Sequence, residues 1–106
     1  MALTKKFKET VIDRINRDPE FKNALFQEAL EEFLTGNLDV AKSLLRDYIN
    51  ATVSFEPLAK KLKKNSKSLQ QMLGPSGNPT SKSLFEMINI VQAFEKIHIN
   101  VHITKQ

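Results

Sequence analysis

Two helix-breaking stretches in the sequence limit the segment SFEPLAKKLKKNSKSLQQMLGPSGNPT to two short helices. Lys63-Lys64-Asn65 predicts a turn, and residues 74–79 cannot continue a helix because they hold two prolines and two glycines. Ser54 is a candidate N-cap for the first helix, and Asn65 is a candidate N-cap for the second, over about residues 66–73. The segment therefore predicts two short helices joined by a tight turn.

The apolar residues of this segment are spaced so that the two helices can pack against each other. Leu58, Ala59 and Leu62 share one side of the first helix, and a small residue such as Ala59 lets two helices cross closely. The second helix has apolar residues on one side and polar residues on the other. The polar residues that we expect to point outward are Ser66, Lys67, Gln70 and Gln71.

Positive charge is concentrated in the same part of the chain. The chain has 106 residues and a net charge of +4, and the window from Pro57 to Phe85 holds six lysines and no acidic residue. Residues 1–53 carry −1 and residues 54–106 carry +5. A basic half of this kind favours contact with a polyanion, although a solvated lysine-rich face would give the same composition.

Composition excludes several other classes of protein. The chain is 41% hydrophobic and 26% charged, which is an ordinary balance for one globular domain. It has no cysteine, so disulfide scaffolds and thiolate metal sites are excluded. Neither a membrane span nor the apolar region of a signal peptide is visible, and we expect a soluble, cytoplasmic protein with no membrane partner.

Helical periodicity extends over most of the rest of the chain. Helices are predicted near residues 4–16, from the N-cap signal Asp18-Pro19-Glu20 to Gly36, from Asp39 to about Ile49, and after Thr80 or Ser81. The side chains expected to face inward on the last two of these helices are Val40, Leu44, Leu45, Tyr48, Ile49, Leu84, Met87, Ile88, Val91 and Phe94.

The C-terminal residues follow a different pattern. Residues 97–104 alternate isoleucine or valine with polar side chains, which predicts a β-strand. A lone strand cannot satisfy its own backbone groups, so we expect it to pair with the same strand of a second copy. His98 and His102 would lie about 13 Å apart on this strand, too far apart to share a metal.

No residue pattern indicates catalysis. Glu28, Glu31 and Glu32 have no basic or nucleophilic residue patterned beside them, so a solvated helix face is the simpler interpretation. The sequence GPSGNP lacks the lysine and hydroxyl residue that end a phosphate-binding loop. We expect no enzyme activity, no cofactor and no metal site.

The two short helices instead suggest a helix-turn-helix that binds DNA. In such a unit the first helix lies against phosphates and the second enters the major groove. Serine, lysine and glutamine on the second helix can bind guanine, adenine or phosphate. The candidate DNA-binding residues are Lys60, Lys61, Lys64, Asn65, Ser66, Lys67, Gln70 and Gln71.

The segment LAKKLKKNSKSLQQMLGPSGNPTSKSLFEMINIV, which contains these residues, resembles the phage-repressor-like, XRE/Cro-type helix-turn-helix proteins, in particular the addiction-module antidote branch. The run from Leu58-Ala59 through Ser68-Leu69 and Leu73 to Gly77-Asn78-Pro79 carries the resemblance, which covers about residues 21–104. The chain departs from the family pattern at Lys63-Lys64, where the family usually has glycine and an apolar residue. This departure predicts a turn that is looser, or shifted by one residue.

The resemblance implies a dimeric antitoxin that represses its own operon and binds a RelE/ParE-like toxin. The fold it implies is all-α: a lambda-repressor-like bundle with extra N-terminal helices, here followed by the predicted C-terminal strand. We divide the chain into an N-terminal helical extension, residues 1–36, and a DNA-binding domain, residues 37–106. An alternative is a protein-interaction module without DNA contact, in which Phe7, Phe21, Phe26 and Phe33 bind a partner instead of filling a core.

Overall fold

The computed structural model describes residues 5–106, and the side chains of residues 11–106. This part of the chain folds into six helices. They are α1 (Lys5–Arg17), α2 (Pro19–Leu34), α3 (Leu38–Ala51), α4 (Phe55–Leu62), α5 (Ser66–Met72) and α6 (Ser81–Glu95). The prediction of an all-α protein is confirmed, and each helix begins and ends within a few residues of its expected position.

Local signals at the helix ends explain this agreement. The Asp18 carboxylate accepts a hydrogen bond of 3.1 Å from the backbone N–H of Phe21, which caps α2 as its sequence predicts. At the other end of α2, Gly36 has a φ of 88°, a left-handed conformation that costs glycine little. Thr80 caps α6 through a hydrogen bond of 3.1 Å from the N–H of Ser83.

Ser54 behaves differently from the other predicted caps. It precedes α4, but its side chain makes no capping hydrogen bond, so that prediction is wrong. Its φ of 72° and ψ of 155° fall in a region that is almost restricted to glycine. The backbone N–H of Ser54 instead donates to the carbonyl of Ile49, 2.8 Å away, which holds the link between α3 and α4 in place.

All six helices contribute to one hydrophobic core. At its centre the rings of Phe26 on α2 and Tyr48 on α3 are stacked, with centroids 4.6 Å apart. Phe21 and Phe33 are half-buried against the same core, so these phenylalanines fill the interior and do not form a free partner-binding surface. The side chain of Phe7 lies outside the described residues.

The Tyr48 hydroxyl is an unusual feature of this core. It is buried and has no hydrogen-bond partner among the described residues. Burial, and then the negative charge of Glu95, raises the pKa of Tyr48 well above its usual value. Glu95 in turn pairs with Lys22 at 2.8 Å, which ties α6 to α2.

Two side chains that were expected to face inward are exposed. Val40 is 42% exposed and Phe94 is 41% exposed. Val40 lies in the first turn of α3 and Phe94 in the last turn of α6. Helical periodicity places both on an apolar side, but no neighbouring element among the described residues covers these helix ends.

The predicted C-terminal strand is wrong for this structure. Residues 97–106 form neither helix nor strand, and the described part of the chain offers no second strand with which they could pair. Ile97 and Ile99 pack against the core, and the N–H of Ile99 donates to the Gln92 side chain at 3.2 Å. Beyond them Val101 and Ile103 are exposed, so only the first two apolar residues of the alternating pattern contact the core.

A buried lysine holds the loop between α5 and α6. The Lys42 ammonium donates a hydrogen bond of 2.7 Å to the carbonyl of Gly77, and its side chain is only 8% exposed. A charge buried to this extent is tolerated only with such a partner. Gly77 itself lies against the end of α5: a Cβ atom there would overlap the carbonyl oxygen of Gln71 and lie 2.5 Å from that of Met72.

We expect Gly77→Ala to lower the free energy of unfolding by about 1–3 kcal/mol, because the added methyl group forces the loop away from α5. Chemical denaturation measures this change. Gly74→Ala is the matched control, since a Cβ at Gly74 makes an ordinary contact of 3.4 Å with Gln71. It should change stability by less than about 1 kcal/mol. Equal losses in both variants would contradict the close approach at Gly77.

Candidate nucleic-acid interface

The turn between α4 and α5 is closed by backbone hydrogen bonds. Lys63 is left-handed, with a φ of 55° and a ψ of 44°. The N–H of Lys64 donates to the carbonyl of Ala59 at 3.0 Å, and the N–H of Lys63 donates to that of Lys60 at 3.3 Å. This pair of bonds is the Schellman motif that usually ends in glycine. The turn is therefore tight, although lysine replaces the expected glycine.

Asn65 begins α5 as predicted. Its side-chain oxygen accepts hydrogen bonds from the backbone N–H groups of Lys67, at 2.8 Å, and Ser68, at 3.2 Å. Two of the four free N–H groups at the start of the helix are thereby satisfied. The cap fixes where α5 starts, so that three residues separate it from the end of α4.

Apolar contacts lock the two helices to the rest of the core. Leu58 and Ala59 on α4 are buried, and Leu69 on α5 is fully buried. Leu73, directly after α5, is also buried. The outward face of α5 is thus determined by the burial of its opposite face.

A shallow groove of about 620 Å³ lies between the end of α4 and the start of α5. Four of the side chains that line it are lysines, and one is a glutamate. The residues along the groove are Glu56, Ala59, Lys60, Lys63, Lys64, Asn65, Ser66, Lys67 and Gln70. The lining is strongly positive, which suits an anionic ligand.

The structure brings six of the eight predicted DNA-binding residues to this groove. Lys61 and Gln71 are exposed but do not line it. Ser66 is half-buried, and its hydroxyl accepts a hydrogen bond of 3.3 Å from the Gln70 amide. Gln70 retains its second amide hydrogen and its carbonyl oxygen, so it can still pair with the edge of a base.

Lys63 lines the groove but is not among the eight candidate DNA-binding residues. The sequence placed it in a turn, where a lysine is ordinarily only a solvated charge. Its left-handed backbone turns its side chain towards the same groove as Lys60 and Lys67. The available signal was the position of Lys63 directly after the last apolar residue of the first short helix, where glycine commonly ends a helix.

Comparison of the chain with models of known protein families, with curated proteins and with solved structures finds no match. The resemblance to phage-repressor-like proteins therefore stays a prediction, as does the division of the chain at residue 36. Within residues 5–106, no helix is both long enough and apolar enough to cross a membrane.

We expect Lys63→Gly to raise the free energy of unfolding by up to about 1 kcal/mol, because glycine adopts the left-handed conformation without strain. Lys61→Gly is the matched control. Lys61 lies within α4, where the same replacement should lower stability by about 1 kcal/mol. Thermal or chemical denaturation of the two variants measures the difference, and shifts in the same direction would contradict the assigned conformation of Lys63.

Proposed function

We propose that this chain is a sequence-specific DNA-binding protein that represses transcription. The observation that supports this most strongly is the groove between α4 and α5, where four lysines surround the polar, exposed edge of a short helix. In the proposed complex α5 is the recognition helix and enters the major groove. The α4 lysines and Lys64 bind phosphates on either side.

The proposed fold is that of the lambda-repressor-like helix-turn-helix proteins. Its support is the order of elements from α3 to α6: two short helices joined by a tight turn, preceded and followed by longer helices. In this proposal α1 and α2 precede the DNA-binding unit as an N-terminal extension. In this proposal the protein acts in the cytoplasm and catalyses no reaction.

The repressor acts as a homodimer in this proposal. A dimer presents two recognition helices about 34 Å apart to successive major grooves, which blocks polymerase sterically. Phe85 on α6 is 63% exposed, and Phe94 on the same helix is also exposed. The two side chains are nine residues apart and therefore lie on opposite sides of α6, so the proposed subunit contact is one that buries Phe85, the more exposed of the two.

A second role follows from the resemblance to addiction-module antidotes: binding of a RelE/ParE-like toxin encoded by the neighbouring gene. The observation that favours a protein partner is a set of exposed apolar side chains around the link between α2 and α3. Co-purification with the product of the neighbouring gene tests this role.

A gel-shift assay with DNA from upstream of the chain's own gene tests repression. If the chain binds this DNA no more tightly than scrambled DNA, the result counts against repression.

We expect Gln70→Ala to reduce the preference for the cognate site by about 1–3 kcal/mol, because Gln70 is positioned to pair with a base edge. Binding to unrelated DNA should change little. Fluorescence anisotropy with cognate and scrambled duplexes measures both. The matched control is Gln27→Ala, which removes an exposed glutamine of α2 that bonds to Glu31. An equal loss on both duplexes would show that Gln70 does not read sequence.

We expect Lys60→Ala to weaken binding to every duplex and to lower the slope of log affinity against log salt by about 0.9, as the loss of one phosphate contact does. Titrations at several salt concentrations give the slope. Lys105→Ala is the control, because it removes one exposed lysine near the C-terminus. If the slope is the same as in the unmodified chain, Lys60 does not contact phosphate.

A further inference from the structure

The link between α2 and α3 carries an exposed apolar surface. Leu34 is 73% exposed, Leu38 is 52% exposed and Val40 is 42% exposed. They lie within seven residues of one another, at the end of α2 and the start of α3. We call these three residues the corner patch. Single exposed apolar residues are ordinary, but three exposed aliphatic side chains at one corner of the fold form a candidate surface for binding another molecule.

A small cleft opens beside the corner patch. Its volume is about 70 Å³. The apolar part of its wall is formed by Phe33, Leu38, Pro79 and Leu84, and the rest by Lys42, Gly77 and Asn78. This is roughly half the volume of a cavity that holds benzene. The cleft is suited to one aliphatic side chain, and an anchor buried in a pocket is a common centre of a protein interface.

Negative charge surrounds the corner patch. From Asn23 to Ala41 the chain has four acidic residues and no lysine or arginine. Glu31 lies one helical turn before Leu34 on α2, and its side chain is exposed. The Asp39 side chain lies between the two patch residues of α3 in sequence; it pairs with the Lys42 ammonium at 3.7 Å, but it is 88% exposed and can accept a further cationic partner. The electrostatic complement of this surface is a positively charged one.

A second copy of the chain does not fit this surface well. A two-fold contact would place the corner patch of one copy against that of the other. The exposed carboxylates of Glu31 and Asp39 on both copies would then face each other, and like charges across an interface are costly. A contact between the patch and the basic groove of another copy would be heterologous, giving a ring or an open chain and not the proposed two-fold dimer.

We propose that the corner patch docks a basic protein, which inserts one aliphatic side chain into the cleft beside Leu38 and pairs its cationic side chains with Glu31 and Asp39. This inference rests on the partner-binding role in the proposed function and is independent of DNA binding. The test below contains no DNA, so its failure and the failure of repression are distinguishable.

The test is a titration of the isotope-labelled full chain, followed by amide NMR resonances, with a synthetic amphipathic helix made of leucine and lysine. We expect saturable shifts confined to residues 31–42 and 77–84, weakening as salt is added. A peptide of the same pattern made of leucine and glutamate is the charge control; it should give no saturable shifts at residues 31–42 and 77–84, whatever it does at the basic groove.

Leu38→Glu separates the apolar anchor from the charge. The variant adds a negative charge, so it would strengthen a purely electrostatic contact with the lysine peptide. We expect it instead to weaken binding about tenfold or more, because the anchor no longer has an apolar wall. Val101→Glu adds the same charge at another exposed apolar position and should leave the affinity unchanged.

Asp39→Asn tests the charge with little change in shape. We expect weaker binding and a smaller dependence on salt, whereas Glu56→Gln, in the basic groove, should change neither. Thermal melting of each variant verifies that it is folded, and Asp39→Asn keeps the test decisive if Leu38→Glu does not fold.

Three results would overturn the proposal. The first is a set of shifts that lies outside the corner patch, or that the Leu38→Glu and Asp39→Asn variants both retain in full. The second is binding of the glutamate peptide at the corner patch with the same affinity as the lysine peptide. The third is a change of the same resonances when the concentration of the chain alone is raised, because that would identify a second copy as the occupant.

Discussion

The left-handed conformation of Lys63 is the constraint on which the candidate interface depends. It lets the N–H of Lys64 reach back to the carbonyl of Ala59, which ends α4 and reverses the chain within three residues. The Asn65 cap then starts α5 at once. Because Leu58 and Leu69 are buried on the inner sides of the two helices, the direction of the turn decides which side chains remain outside. The lysines and Gln70 share a groove as a result of this one backbone geometry.

The presence of lysine at this position has a physical cost and an electrostatic consequence. A left-handed residue with a Cβ atom is strained by about 1–2 kcal/mol, which glycine would avoid. In exchange, the groove has a fourth positive side chain beside Lys60, Lys64 and Lys67. The same left-handed conformation occurs at Lys96, the residue that ends α6, so the conformation by itself does not indicate a ligand. The support for the proposed polyanionic ligand is instead the position of Lys63 beside the other three lysines of the groove.

Features of the fold that depend on neighbouring residues in sequence were predictable, and features that depend on distant ones were not. Asp18, Gly36 and Asn65 act within a few residues of their own positions, so the helix bounds follow from the sequence. Whether Val40 is covered depends on which element packs over the start of α3, and no local pattern contains that information. The C-terminal alternation failed for a related reason: a strand is defined by its partner, and residues 97–106 have none among the described residues. The bond from Lys42 to Gly77 joins residues that are 35 apart, beyond the reach of any periodicity.

That bond also gives the two candidate surfaces a common element. The cleft beside the corner patch is lined in part by residues 77–79 and by Lys42. Gly77 in turn lies against the carbonyls at the end of α5, whose other end lines the basic groove. A partner that fills the cleft would therefore touch the loop that supports the end of the proposed recognition helix. If filling the cleft changes the position of this loop, the affinities for DNA and for the partner become linked, and the linkage must be equal in both directions. A rigid loop would instead leave the two surfaces independent, because a contact that does not differ between two states cannot shift them.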